Sequence, residues 1–203
     1  MQSVRLSYSS LEQNQIRLLN ILKLLKRRGV IKDVEKLYNE NKPDSIINSI
    51  FKFKSDINKE QKIAISLINS PISSISKNST IDDFLGHNVN SIKILCIPTI
   101  SKKIFKQVKE YPNSQVFTLL NFMEDIPSKD FIQDHRIISE EEKKELEKQY
   151  KISELPKIQD CELMARYYGA KPGDVIEVKR SNINCGMGIA YRLVIPGSIE
   201  LFF

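Results

Sequence analysis

The chain has 203 residues, of which 31 are Lys or Arg and 25 are Asp or Glu, for a net charge of +6. Its 41% hydrophobic and 28% charged content is that of a globular protein and excludes wholesale disorder. No apolar run approaches the roughly 20 residues that span a bilayer, and the opening MQSVRLSYSSLEQNQIR lacks a signal peptide's apolar core, so an intracellular protein with no membrane contact is expected.

Residues 10–28 read as one amphipathic helix. Leu11, Leu18, Leu22 and Leu25 make an apolar stripe that Ile21 and Leu24 widen. Arg17, Lys23, Lys26, Arg27 and Arg28 fill the other side and the last turn, and Gly29 stands where a left-handed cap belongs. Residues 30–38 suggest a second short helix and 41–44 a break. Residues 45–85 read as one strand, around the alternating Phe51-Lys52-Phe53-Lys54, plus connecting loops, with loop composition over 70–80. SIKILCI at 91–97 is a strand that Pro98-Thr99 ends. Residues 100–110 follow as a helix with Ile104, Phe105 and Val108 on one side, and 114–122 as a second apolar segment. Strand, helix and extended segment together predict an α/β layer with parallel pairing. The stretch 123–130 has linker composition, and the net charge is +7 over 1–130 and −1 over 131–203. These features put a boundary near 129, giving domains 1–128 and 129–203. The basic first part suits phosphate contact, and a soluble Lys-rich surface explains it equally well.

The second part is better punctuated. Ser139 with Glu142 forms a capping box, and EEEKKELEKQY follows as a helix with Leu146 and Tyr150 facing inward. Asp160 caps a second short helix, CELMARYYG, closed by Gly169. Lys171-Pro172-Gly173-Asp174 fits a type II turn. Residues 174–180 and 189–195 read as strands, with Ile189, Tyr191, Leu193 and Ile195 on one face. SNINCGMG between them is a turn-like connection, and SIELFF remains as an apolar tail expected to be buried in the chain or in a partner.

Sites of chemistry are sparse. Three Cys (Cys96, Cys161, Cys185) and two His (His87, His135) show no metal-ligand spacing, so a reduced compartment, unpaired thiols and no metal or cofactor are expected. Cys96 reads as a small buried hydrophobe. Gly186-Met187-Gly188 is a lone GxG between strands and makes no nucleotide loop. His135, in Gln133-Asp134-His135-Arg136, reads as a surface or interdomain residue. Glu177-Val178-Lys179 on a strand, with Asp160 and Asp174 upstream, matches a weak metal-nuclease pattern, and the bland reading is the polar outer face of a sheet. With no concentrated catalytic constellation, a scaffold or binding subunit is favoured over an enzyme.

Glu154-Leu155-Pro156-Lys157-Ile158-Gln159, then Met164-Ala165-Arg166-Tyr167-Tyr168-Gly169, then Lys171-Pro172-Gly173-Asp174-Val175, then Ile189-Ala190-Tyr191-Arg192-Leu193-Val194 carry a resemblance. In order and spacing they resemble the fifth subunit of eukaryotic DNA-dependent RNA polymerases, whose archaeal relative consists of this C-terminal module alone. Arg180 stands in the family's strand-end place, and the resemblance covers residues 135–195. Upstream, SIKILCIPTISKKIFKQV is similar to the family's strand, Thr-Pro-Ser loop and helix, with Ile100 where the family has Pro. The diverged two-domain form resembles the copy in a large cytoplasmic DNA virus.

The resemblance implies an α+β protein of two domains, an N-terminal α/β jaw-like domain and a small C-terminal α+β assembly domain. It implies no catalysis and no cofactor. It implies partners in the largest polymerase subunit and other polymerase subunits, met through Pro156, Lys157, Ile158, Arg166, Tyr167, Gly169, Arg180, Tyr191 and Arg192. It implies weak, nonspecific contact with double-stranded DNA downstream of the active site, near Thr99, Ser101, Lys102 and Lys103. For a viral copy, the location implied is the host cytoplasm, at the virus factory, and the virion. The alternatives are a metal-dependent nuclease using Glu177 and Lys179, and a stand-alone basic DNA-binding protein.

Overall fold

The structure is a computed structural model that describes residues 8–44, 49–87, 90–182 and 186–197. The tail 198–203 and residues 183–185 of the SNINCGMG connection, Cys185 among them, lie outside the described residues, as do the side chains of 181 and 182. The chain divides into two compact units, Met1–Asp125 and Ile126–Phe203, and its class is α+β.

The first unit opens with α1 (Ser10–Arg27). Ser9 and Glu12 cap its start reciprocally, and Gly29 follows its end at φ 66°. Leu18, Ile21, Leu22, Leu24 and Leu25 are buried as their spacing requires. Arg17 departs from the expected polar side. It is buried, and its guanidinium donates to Asn14, Gln13 and Asn69. A long stem and a forked head let Arg bury where acceptors converge.

Helix α2 (Val34–Asn41) starts four residues later than expected, because Asp33 caps it and Asp56 accepts from the amides of Lys32 and Asp33. The stretch 45–85 holds more order than one strand. It contains β1 (Ser49–Lys54), β2 (Lys62–Leu67) and helix α3 (Thr80–His87). Strand β3 (Ser91–Ile97), helix α4 (Lys102–Lys109) and β4 (Ser114–Thr118) complete the unit, and 119–122 turn as a 3-10 helix. The sheet order is β1-β2-β3-β4. The β1–β2 pair is antiparallel; β2, β3 and β4 run parallel, as the strand–helix–strand pattern predicted.

Strand β2 hid in the sequence because its KIAISL run is apolar on both faces, the mark of a central parallel strand, which gives no alternation to read. β3 buries even Lys93, whose ammonium donates to the Leu85 carbonyl (2.8 Å) at the end of α3, where a cation suits the helix dipole. Cys96 is fully buried, and burial pushes its thiol far above the ordinary value, so it is inert filling.

The second unit is built on a sheet of order β5-β7-β8-β6: β5 (Asp134–Ile137), β6 (Lys157–Gln159), β7 (Val175–Asn182) and β8 (Gly186–Ile195). Gly186–Gly188 therefore belong to β8 rather than to the connection. Strand β5 was not foreseen; four residues are too few for a periodic pattern.

The register sorts side chains onto two faces. On one, Ile137, Ile158, Ile176, Val178 and Val194 pack with Ala165 of helix α6 (Leu163–Tyr168). On the other, Val175, Tyr191 and Leu193 pack with Leu146 of helix α5 (Glu140–Glu147). The Ser139–Glu142 capping box is present. α5 stops at Glu147, however, which leaves Tyr150 exposed instead of inward. Glu162, not Asp160, precedes α6, and Asp160 instead accepts from the Gly197 amide (2.9 Å). Gly169 closes α6 at φ 75° and Gly173 turns the chain at φ 98°, conformations that cost any side-chain-bearing residue.

Candidate partner and nucleic-acid interface

Three of the nine expected interface residues serve the second unit's own fold. Ile158 and Tyr167 are 3% and 2% exposed, so they have almost no surface to offer a partner, and Gly169 is the helix cap. Arg166 is half-buried on α6 and donates from Nε to the Cys161 carbonyl (2.9 Å), so part of its donor set is already used.

The others reach the surface in separate places. Pro156 and Lys157 are exposed at the start of β6, an edge strand, where a residue lacking N–H is tolerated. Tyr191 lies half-buried on the α5 side. Arg180 and Arg192 lie on the α6 side of β7 and β8, on the same face as His135.

Those three make a cationic corner. His135 stacks on Tyr168 (centroids 6.2 Å apart) and donates from Nδ1 to the Gln133 carbonyl (2.6 Å). Arg180 donates to the Gln133 side chain (3.1 Å). Among the described residues, Arg192 meets no carboxylate or other acceptor. Burial first, then the positive charges of Arg192 and Arg180, hold the imidazole's pKa below its ordinary value. The unfolded chain therefore takes up a proton before the folded one does. Stability of this unit is expected to be fully present above about pH 6.5 and to fall as the pH drops below it. Hydrogen exchange of the unit's amides between pH 7.5 and 5 checks this, and a profile that does not change in His135→Gln would show that another group is responsible.

On the opposite face, Arg136 bridges two elements. It forks onto Glu142 (2.8 Å to both oxygens) and reaches Glu177 Oε2 at 2.8 Å. The Glu177 side chain is 6% exposed. The carboxylate of the nuclease pattern is thus committed to an ion pair. Asp160 and Asp174 are also engaged, with Gly197 and Lys171. No group of three potential metal ligands occurs among the described residues.

In the first unit, Thr99 is exposed, Ser101 caps α4 by accepting from the Ile104 amide (3.2 Å), and Lys102 and Lys103 project from its first turn. Ile100, between them, is buried and anchors the loop to the core. A helix start with two exposed lysines suits a phosphate.

The profile described as RNA polymerase Rpb5, C-terminal domain, matches residues 124–194. DNA-directed RNA polymerase subunit Rpo5 of Thermococcus onnurineus is 47% identical over 73 residues, covering 35% of this chain and 89% of that protein. The chain belongs to the subunit 5 family of DNA-directed RNA polymerases. Rpo5 of Methanocaldococcus jannaschii is 46% identical over 63 residues, 30% of this chain and 81% of the relative. The RPABC1 subunit of RNA polymerases I, II and III from Caenorhabditis elegans is 37% identical over 81 residues, 39% of this chain and 38% of the relative. The membership agrees with the expectation of a non-catalytic polymerase component. All nine expected interface residues fall inside the subunit 5 profile match, and Thr99–Lys103 fall outside it. Sequence reasoning missed His135 as a member of the cationic corner and Tyr168 as the ring it stacks on. The resemblance reaches back to His135, but the β5–β7 pairing that puts it on the face of two arginines is not legible in the sequence.

Proposed function

We propose that the chain is a non-catalytic subunit of a multisubunit DNA-directed RNA polymerase. The second unit docks on the largest subunit, and the first lies near downstream DNA. The observation that carries this reading is the match over 124–194, which falls almost wholly within the compact unit Ile126–Phe203. The cationic corner of Arg180, Arg192 and His135 supplies forked donors for a partner's carboxylates and carbonyls.

Tagged full-length chain, drawn from its native source, is expected to bring down the large polymerase subunits. Arg192→Glu is expected to cut that recovery at least tenfold while the circular dichroism spectrum stays unchanged. Unchanged recovery would move the interface off this corner, and a chain that comes down alone would end the subunit reading.

DNA placement rests on the α4 start. In the assembled polymerase, Lys102→Glu with Lys103→Glu is expected to weaken duplex binding and to flatten the slope of log affinity against log salt by about 2, roughly 0.9 for each phosphate no longer neutralised. An unchanged slope would place those lysines away from the duplex. The resemblance of the diverged two-domain form to the copy in a large cytoplasmic DNA virus supports a viral setting. Immunolabelling is then expected over cytoplasmic factories, and nuclear labelling alone would overturn that setting.

A further inference from the structure

The α5 side of the second unit's sheet carries a groove of about 510 Å³ between the helix and β8. Leu146, Tyr150 and Tyr191 give it an apolar lining, and Glu141 and Glu145 form an acidic rim. Glu142 and the buried Glu177 share the single guanidinium of Arg136, which offsets one of their two charges. The rim carboxylates are not held this way. Among the described residues Glu145 pairs with Lys148 alone, the two side chains being 71% and 68% exposed, so water readily loosens the pair.

The apolar lining continues outward along β8. Ile189 and Met187 share the face of Tyr191 and pair with Lys179 and Ser181 of β7. They are 56% and 67% exposed, and Tyr150 is 56% exposed. Large apolar side chains wet in a row beside a groove mark an interaction surface.

We propose that this groove and strip dock a segment of a partner polypeptide in which Lys or Arg stands beside aliphatic residues. The cations meet Glu141 and Glu145, and the aliphatic groups cover Tyr150, Tyr191, Ile189 and Met187. Charge selects the occupant. Nucleic-acid phosphates and anionic lipids are repelled by the rim. A second copy packed face to face would set Glu against Glu, because a two-fold contact repeats the same patch. The proposal rests on the polymerase-subunit reading and adds a contact on the face opposite the cationic corner.

The test places the photo-crosslinking residue p-benzoylphenylalanine at Ile189 of tagged full-length chain in its native source. The polymerase is purified, and the crosslinked peptide is sequenced after illumination. The expected result is a crosslink to a polymerase subunit, at a stretch bearing Lys or Arg among aliphatic residues. Glu141→Lys with Glu145→Lys is expected to lower its yield at least tenfold. Glu141→Gln with Glu145→Gln, which cannot upset α5 by charge reversal, is expected to lower it several-fold. If the unmodified chain brings down no polymerase, the subunit reading itself fails. If it does, the docking proposal alone is overturned by no crosslink, by a crosslink to a second copy of this chain or to a stretch without Lys or Arg, or by a yield that survives both pairs of substitutions.

Discussion

Tyr167→Ala is expected to destabilise the second unit by roughly 3–5 kcal/mol, the usual cost of emptying an aromatic site in a core. Tyr167 is among the largest fully buried side chains, at 2% exposure, and its ring lies 5.7 Å from that of Tyr168. Tyr168 in turn stacks on His135. Removing the Tyr167 ring thus opens a cavity and loosens the support of the cationic corner. For a unit of this size, such a loss lowers the melting temperature by more than about 10 °C. Hydrogen exchange on the full chain, read separately for amides of β7 and β8, measures it. Polymerase capture is expected to fall with the fold, unlike the loss in Arg192→Glu, where the fold persists. A cost below about 1 kcal/mol would return Tyr167 to the surface contact that the resemblance implied.

The second large effect belongs to Arg136→Ala. It strands the Glu177 carboxylate, 6% exposed, without its cation. Removing one partner of a buried pair costs about 3–5 kcal/mol. Because Arg136 is itself 49% exposed, solvent partly compensates, and roughly 2–4 kcal/mol is expected. Replacing both partners by Met is expected to recover most of the loss, because no buried charge then remains. The double-mutant cycle isolates the pair term. A loss under about 0.5 kcal/mol from Arg136→Ala would mean that Glu177 finds its compensation elsewhere. Glu177→Ala with unchanged stability, together with Mg²⁺-dependent cleavage by the unmodified chain, would instead revive the nuclease alternative.

Elements were legible where the information is local. The stripe of α1 and its Gly29 cap, the α4 stripe, the Ser139–Glu142 box and the Pro172-Gly173 turn all depend on residues within a few positions of one another. β3 was legible as an apolar run between breaks. α3 carries Ile81, Phe84 and Leu85 at helical spacing, but eight residues beside a Ser/Asn-rich stretch make a weak pattern. Tyr150 looked inward because it follows Leu146 by one turn; the helix ends first.

Interface residues divide the same way. Residue types and order, from Pro156 to Arg192, point to the family without any tertiary information, and the profile match agrees. Which of them face outward was not written locally. Tyr167 and Tyr168 are neighbours of one type, yet only Tyr167 is fully buried, a difference set by packing that no local pattern announces.

By itself the sequence determined the family, the change of character near residue 130, and the helices, turns and strands whose caps and periods are properties of the local backbone. Only the tertiary structure decided the sides. Arg136 and Glu177 are 41 residues apart and meet because the sheet order places β5 beside β7. The same pairing sets His135 on the face of Arg180 and Arg192, and gathers the acidic and apolar groove on the other. Strand register is a long-range choice. A shift of one residue exchanges the two faces, and nothing within a single strand specifies its partner.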